Sequence, residues 1–150
     1  MPNQCRKIFV FDDDHDMLKA ISQNIELING IAIKCNSIYI ANEKWKTHYS
    51  EISGVIIDLM MPTDGFTPEQ RERTNHSKIT GWIWFIDNVI NGNFTRQDLI
   101  RRTLFFSGFL PDLEQSVTLR EYEYLLTSVQ KLDKEDNKRW ELLQDFMNRL

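Results

Sequence analysis

Gly54-Val-Ile-Ile-Asp58-Leu-Met-Met-Pro62 is the stretch on which the reading of this chain turns. Three consecutive β-branched aliphatics bounded by Gly54 on one side and Pro62 on the other make a short apolar run. A run of that kind forms a strand buried on both faces, as in a parallel sheet covered by helices. Asp58 then stands at the carboxyl end of the strand. A second run, Ile8-Phe-Val-Phe11, opens in the same way onto Asp12, Asp13, Asp14 and Asp16.

Working outward, Met17, Leu18, Ile21, Ile25 and Ile28 recur at spacings near three and four, which predicts an amphipathic helix over about 16–28 closed by Asn29-Gly30. Ile31, Ile33 and Cys35 alternate as a second strand, and a weakly marked helix around Tyr39–His48 carries Ala41 and Trp45. The segment from Thr63 to Lys78 has no clear period and reads as an extended surface loop, at about 63–80. Trp82, Ile83, Phe85, Ile86, Val89 and Ile90 predict a strongly apolar helix from Thr80, stopped by Asn91-Gly92-Asn93. Thr103-Leu-Phe-Phe-Ser107 is the fourth strand, followed by a helix from Pro111 to about Glu121. The fifth strand is expected at Tyr124–Gln130. A final helix is expected from Asp133 to Leu150, with Asp133 as its cap.

Five alternations of strand and helix predict an α/β domain: a doubly wound, five-stranded parallel sheet spanning 1–150 as one unit. The length suits one core. Acidic residues outnumber basic ones, 22 to 18, with no Lys/Arg block, which argues against a nucleic-acid surface. Cys5 and Cys35 lie in no metal or redox spacing and read as reduced thiols. The start, MPNQCRK, carries no signal-peptide stretch, and no apolar run is of membrane-spanning length. A cytoplasmic protein is expected, with no membrane association.

Ligands of such sheets sit at the carboxyl ends of the strands, where the strand order reverses. Those ends carry Asp12, Asp13 and Asp14, then Asp58, then Ser107, with Lys131 near the fifth. Carboxylates converging at one edge repel one another unless a cation intervenes, and an oxygen-only donor set suits Mg²⁺. A strand-end carboxylate can attack phosphorus while a lysine and a hydroxyl hold the phosphoryl oxygens.

In Lys7-Ile-Phe-Val-Phe-Asp12-Asp13-Asp14 and Val55-Ile-Ile-Asp58-Leu-Met-Met-Pro62 the chain resembles the response-regulator receivers of two-component systems, whose fold is flavodoxin-like, or CheY-like. The resemblance runs from about Lys7 to the last helix. It implies Asp58 as phosphoacceptor, Asp13 as a direct Mg²⁺ ligand, Asp12 as a ligand through water and the Met60 carbonyl as a further ligand. Ser107 resembles the switch hydroxyl, and Lys131 its ion-pair partner. A sensor histidine kinase or phosphotransfer protein would supply the phosphoryl group. A downstream protein would read it, since no output domain follows the final helix. Beyond self-phosphorylation and self-dephosphorylation no catalysis is implied.

The chain departs from the family pattern in several places. Between Pro62 and Gly81 the connection is about fifteen residues longer than usual, a candidate lid or partner surface. Lys131 is followed by Leu132 rather than proline, and an alternative register puts Thr127 in the lysine position. Gly108 follows Ser107 where alanine is commoner. The positions two beyond the acceptor and two beyond the switch hydroxyl, which flank the path of attacking water in receivers, hold Met60 and Phe109. Two other readings stand beside the receiver. One is a pseudo-receiver, a binding module of the same fold that is not regulated by phosphorylation. The other is a haloacid-dehalogenase-like phosphatase using Asp12, which would leave Asp58 without a role.

Overall fold

The computed structural model describes residues 5–116 and 122–150. Five parallel strands form one sheet in the order β2-β1-β3-β4-β5. They are β1 (Lys7–Phe11), β2 (Ile31–Cys35), β3 (Ile52–Ile57), β4 (Thr103–Ser107) and β5 (Gln130–Asp133). The expected doubly wound sheet is therefore observed. From β1 the chain winds outward to β2 and then returns past β1 to β3, so the strand order reverses between β1 and β3. Asp12 and Asp58 follow the ends of those two strands.

Alternate residues of β1 explain why both faces must be covered. Ile8 and Val10 enter one apolar layer with Leu18, Ile21 and Ile25 of α1 (His15–Leu27) and Leu143, Phe146 and Met147 of α7 (Arg139–Asn148). Phe9 and Phe11 enter the other, with Trp45 of α2 (Ile38–His48) and with Trp84 and Phe85. There the Phe9 ring stacks on Trp84 with centroids 5.2 Å apart, and Trp45 meets Trp84 edge to face at 5.9 Å. Aromatic pairs in these geometries add about 0.5–1.5 kcal/mol each beyond their burial.

Local signals set most boundaries. Asp14 caps α1 by accepting the Met17 N–H at 3.1 Å, and Asn29 closes it at φ 58°, a left-handed position that asparagine tolerates. Ser37 caps α2 in the same way. The apolar helix predicted from Thr80 is α4 (Thr80–Phe85), continued by a single π turn over Ile86–Ile90.

The stretch expected as a surface loop holds a short helix, α3 (Pro68–Glu72), opened by a reciprocal capping box between Thr67 and Gln70. Phe66 and Ile79 bury their side chains in the core at either end of this insertion. Arg73 forms a two-pronged ion pair with Asp87 of the π turn at 2.9 and 3.0 Å, and Gln70 donates to the same carboxylate. The insertion is thus a folded appendage tied to the π turn that follows α4.

The last third differs most from expectation. The helix expected from Pro111 is α5 (Leu110–Ser116), and its expected remainder lies outside the described residues. The segment expected as the fifth strand, Tyr124–Gln130, is largely helical: α6 (Glu123–Ser128) precedes β5, which starts only at Gln130. In that helix the Thr127 and Ser128 hydroxyls donate to the Tyr124 carbonyl, and Leu125 is buried while Tyr124 faces solvent. The apparent strand period came from neighbours that lie on different sides of a short helix. Asp133 does not cap the final helix. It ends β5, and its carboxylate accepts the Glu135 N–H at 2.8 Å in a turn, followed by a second such turn at Asp136, before α7 starts at Arg139.

Candidate functional site

Asp12 and Asp58 each stand one residue beyond a central strand, and the sheet ladder still holds their backbones: Asp12 N–H donates to Cys35 O at 3.1 Å, and Asp58 N–H to Phe11 O at 2.9 Å. Both side chains are buried, at 1 % and 7 % exposure. Asp13 lies at the open side. Carboxylate oxygens of Asp12, Asp13 and Asp58 all come within 4.8 Å of one another.

Into this group reaches Lys134, one residue past β5. Its Nζ lies 2.8 Å from Asp12 Oδ2 and 2.9 Å from Asp58 Oδ2. The Lys134 N–H donates to Ser107 O at 3.2 Å, which extends the β4–β5 ladder and aims the lysine from the strand end toward the acids. The second oxygens are taken by backbone: Asp12 Oδ1 accepts from Asp14 N–H at 2.9 Å, and Asp58 Oδ1 from Leu59 N–H at 2.7 Å. Ser107 ends β4, fully buried, with its Oγ accepting the Phe109 N–H at 3.1 Å.

The arrangement of strands is also found in known structures. No protein-family model matches the sequence, and no curated protein does. Among solved structures the chain is similar to a response regulator receiver domain protein from Clostridium thermocellum, with TM-score 0.60 and 16% identity, over 96% of this chain and 95% of that one. It is also similar to the chemotaxis response regulator CheY4 of Vibrio cholerae, with TM-score 0.52 and 13% identity, over 97% and 98% of the two chains. The fold is that of the response-regulator receivers.

Set on this receiver fold, the expected site residues separate into two groups. Asp12, Asp13 and Asp58 come together, as expected, and Ser107 takes its place at the end of β4. Lys131 does not reach the site. It pairs in register with Phe105, two residues short of the strand end, and its side chain is exposed. Thr127, the alternative, is exposed on α6. Lys134 occupies the position instead, followed by Glu135 where the family places proline. The displacement follows from the misplaced strand: β5 is short and offers one buried residue, Leu132, so it leaves no period to read. One signal was available. Leu132 is the only apolar residue between Val129 and Trp140, and a strand centred on it ends beside Lys134.

Electrostatically the site carries more negative charge than it balances. Burial, reinforced by the neighbouring Asp58, pushes the Asp12 carboxyl up to about 6, against the opposing pull of Lys134. Burial and Asp58 raise Asp13 as well. Burial works against the Lys134 ammonium, yet Asp58 and Asp12 outweigh it and hold its pKa above the ordinary value. Three carboxylates against one lysine leave a formal surplus of two negative charges. An oxygen-only donor set with that surplus fits a hard divalent cation.

Proposed function

We propose that this chain is a response-regulator receiver that accepts a phosphoryl group on Asp58 in the presence of Mg²⁺ and signals through association with another protein. The observation that carries the reading is the meeting of Asp12, Asp13, Asp58 and Lys134 from three strand ends at the point where the sheet order reverses. A buried carboxylate held by its own backbone through Oδ1 keeps Oδ2 directed to one side, which is the positioning that phosphoryl transfer depends on.

In the proposed reaction an Asp58 carboxylate oxygen forms a bond to phosphorus as the bond to the donor's nitrogen or oxygen breaks, and the electron pair leaves with the donor. The donor would be a sensor histidine kinase or phosphotransfer protein. Mg²⁺ held by Asp12, Asp13, Asp58 and the Met60 carbonyl would spread the charge of the transferring group. Lys134, already paired with Asp58, follows the charge onto the new phosphoryl oxygens. The Ser107 hydroxyl, which accepts from Phe109 N–H, still has its own proton to donate to the phosphoryl group. Its rotation is the local event that a downstream protein target would read. The pseudo-receiver reading rested on a lysine in doubt, and the ion pairs of Lys134 with Asp12 and Asp58 support the receiver reading instead.

The test is to incubate the protein with a small acyl phosphate and Mg²⁺ and to map the modified residue by mass spectrometry after reductive trapping. Labelling of Asp58, lost in Asp58→Asn and needing markedly more Mg²⁺ in Asp13→Asn, is the expected result. Labelling at Asp12 would instead indicate a phosphatase of the haloacid-dehalogenase type, and no labelling a binding module.

A further inference from the structure

The long insertion leaves the β3 end beside the acceptor and returns to it at Thr80 and Gly81, so what closes its neck also shapes the site. Two hydrogen bonds do so. Gly81 N–H donates to Leu59 O at 2.9 Å, and the Thr80 hydroxyl donates to Met61 O at 2.7 Å. Thr80 is fully buried, and its Oγ1 also lies 3.1 Å from Ser77 O, the last turn of the insertion. Gly81 permits the approach, since a Cβ there would collide with the Asp58 carbonyl.

These contacts fall on alternate peptide units. The carbonyls of Leu59 and Met61 are both held, and the side chains of both residues are buried. Met60, between them, points its side chain outward at 40 % exposure. With the peptide units on either side fixed, the Met60 carbonyl has little rotational freedom of its own. We infer that Thr80 is a positioning residue: its hydroxyl fixes the Met60 carbonyl for the divalent cation by clasping the start of the insertion to its end. This inference rests on the reading of the acidic group as a Mg²⁺ site. A threonine that served only to fill space would do so through its methyl group, and valine would replace it.

Mg²⁺ affinity, measured by isothermal titration on the full chain, is the readout, with thermal unfolding of each variant alongside. Thr80→Val is expected to weaken Mg²⁺ binding by about tenfold, the equivalent of one hydrogen bond. Thr80→Ser, which keeps the hydroxyl, restores most of the affinity. Asp87→Ala releases the far end of the insertion and lowers the unfolding temperature without changing Mg²⁺ affinity. Equal affinity in the wild type and Thr80→Val would overturn the inference, as would equal weakening in the valine and serine variants or a matching loss in Asp87→Ala. If the wild type bound no Mg²⁺ at all, the reading of the metal site itself would fail, and the inference with it.

Discussion

The two halves of the site are built differently. Asp12 and Asp58 project from β1 and β3, two inner strands of the sheet, where nearly every residue is buried and each aspartate's backbone is pinned by the neighbouring strand. Ser107 ends β4, also an inner strand and buried throughout, whereas Lys134 follows β5, a four-residue edge strand with a single buried side chain. The half that carries the negative charge is set by the core. The lysine that answers it is delivered by a crossover through α5 and α6 and by the pairing of β5 with β4, which the Lys134–Ser107 backbone hydrogen bond extends. The proposed function would need a fixed nucleophile and a responder able to move, and elements with few buried contacts open at lower free energy.

That contrast breaks most readily at the lysine. Removing Lys134 strips the compensating charge from two buried carboxylates, so Lys134→Ala is expected to cost about 3 kcal/mol in metal-free buffer at neutral pH. Lys131→Ala and Thr127→Ala, both at exposed positions, should stay within about 0.5 kcal/mol. Denaturant unfolding of the three variants provides the comparison, and equal effects at 131 and 134 would show that the edge strand is registered differently.

A smaller effect is expected at Met60 and Phe109. In receivers the positions that Met60 and Phe109 hold here flank the path of the attacking water; a thioether and a phenyl ring offer that water no hydrogen bond, so under the proposed function the phosphorylated form should be comparatively long-lived. Replacing Met60 with Glu or Asn, together with Phe109→Ala, should hasten loss of the phosphoryl group by about tenfold or more. A time course of acylphosphate decay in Mg²⁺ measures it. Fast decay in the unaltered protein with no acceleration in the double variant would remove the idea.

A pH dependence sharpens the account of the central half. The Asp12 carboxyl is raised from 3.8 to about 6 by burial and by Asp58. Between those values the folded state holds a proton that the unfolded chain has released. Its contribution to stability therefore falls as pH rises through that window and levels off above it. In metal-free buffer the unfolding temperature of the wild type should decline over this range more steeply than that of Asp12→Asn. Above it, added Mg²⁺ should raise the wild-type value by binding the folded state alone. Parallel pH profiles for the two proteins would count against the burial and charge assigned to Asp12.

By itself the sequence determined the alternating α/β order, the first four strands, the apolar helix after Thr80 and the acidic group around Asp58. In those segments the signal is local: an apolar run ends abruptly at a carboxylate, and a strand covered on both faces must be apolar throughout. Only the tertiary structure decided three things. The segment from Tyr124 to Ser128 is a helix because Leu125 finds the core while its neighbours face solvent. The insertion is held in place by an Asp87 that lies fourteen residues beyond Arg73. Lys134 completes the site because a short edge strand takes its register from β4, and register depends on pairing with another strand, which the residues of β5 do not encode.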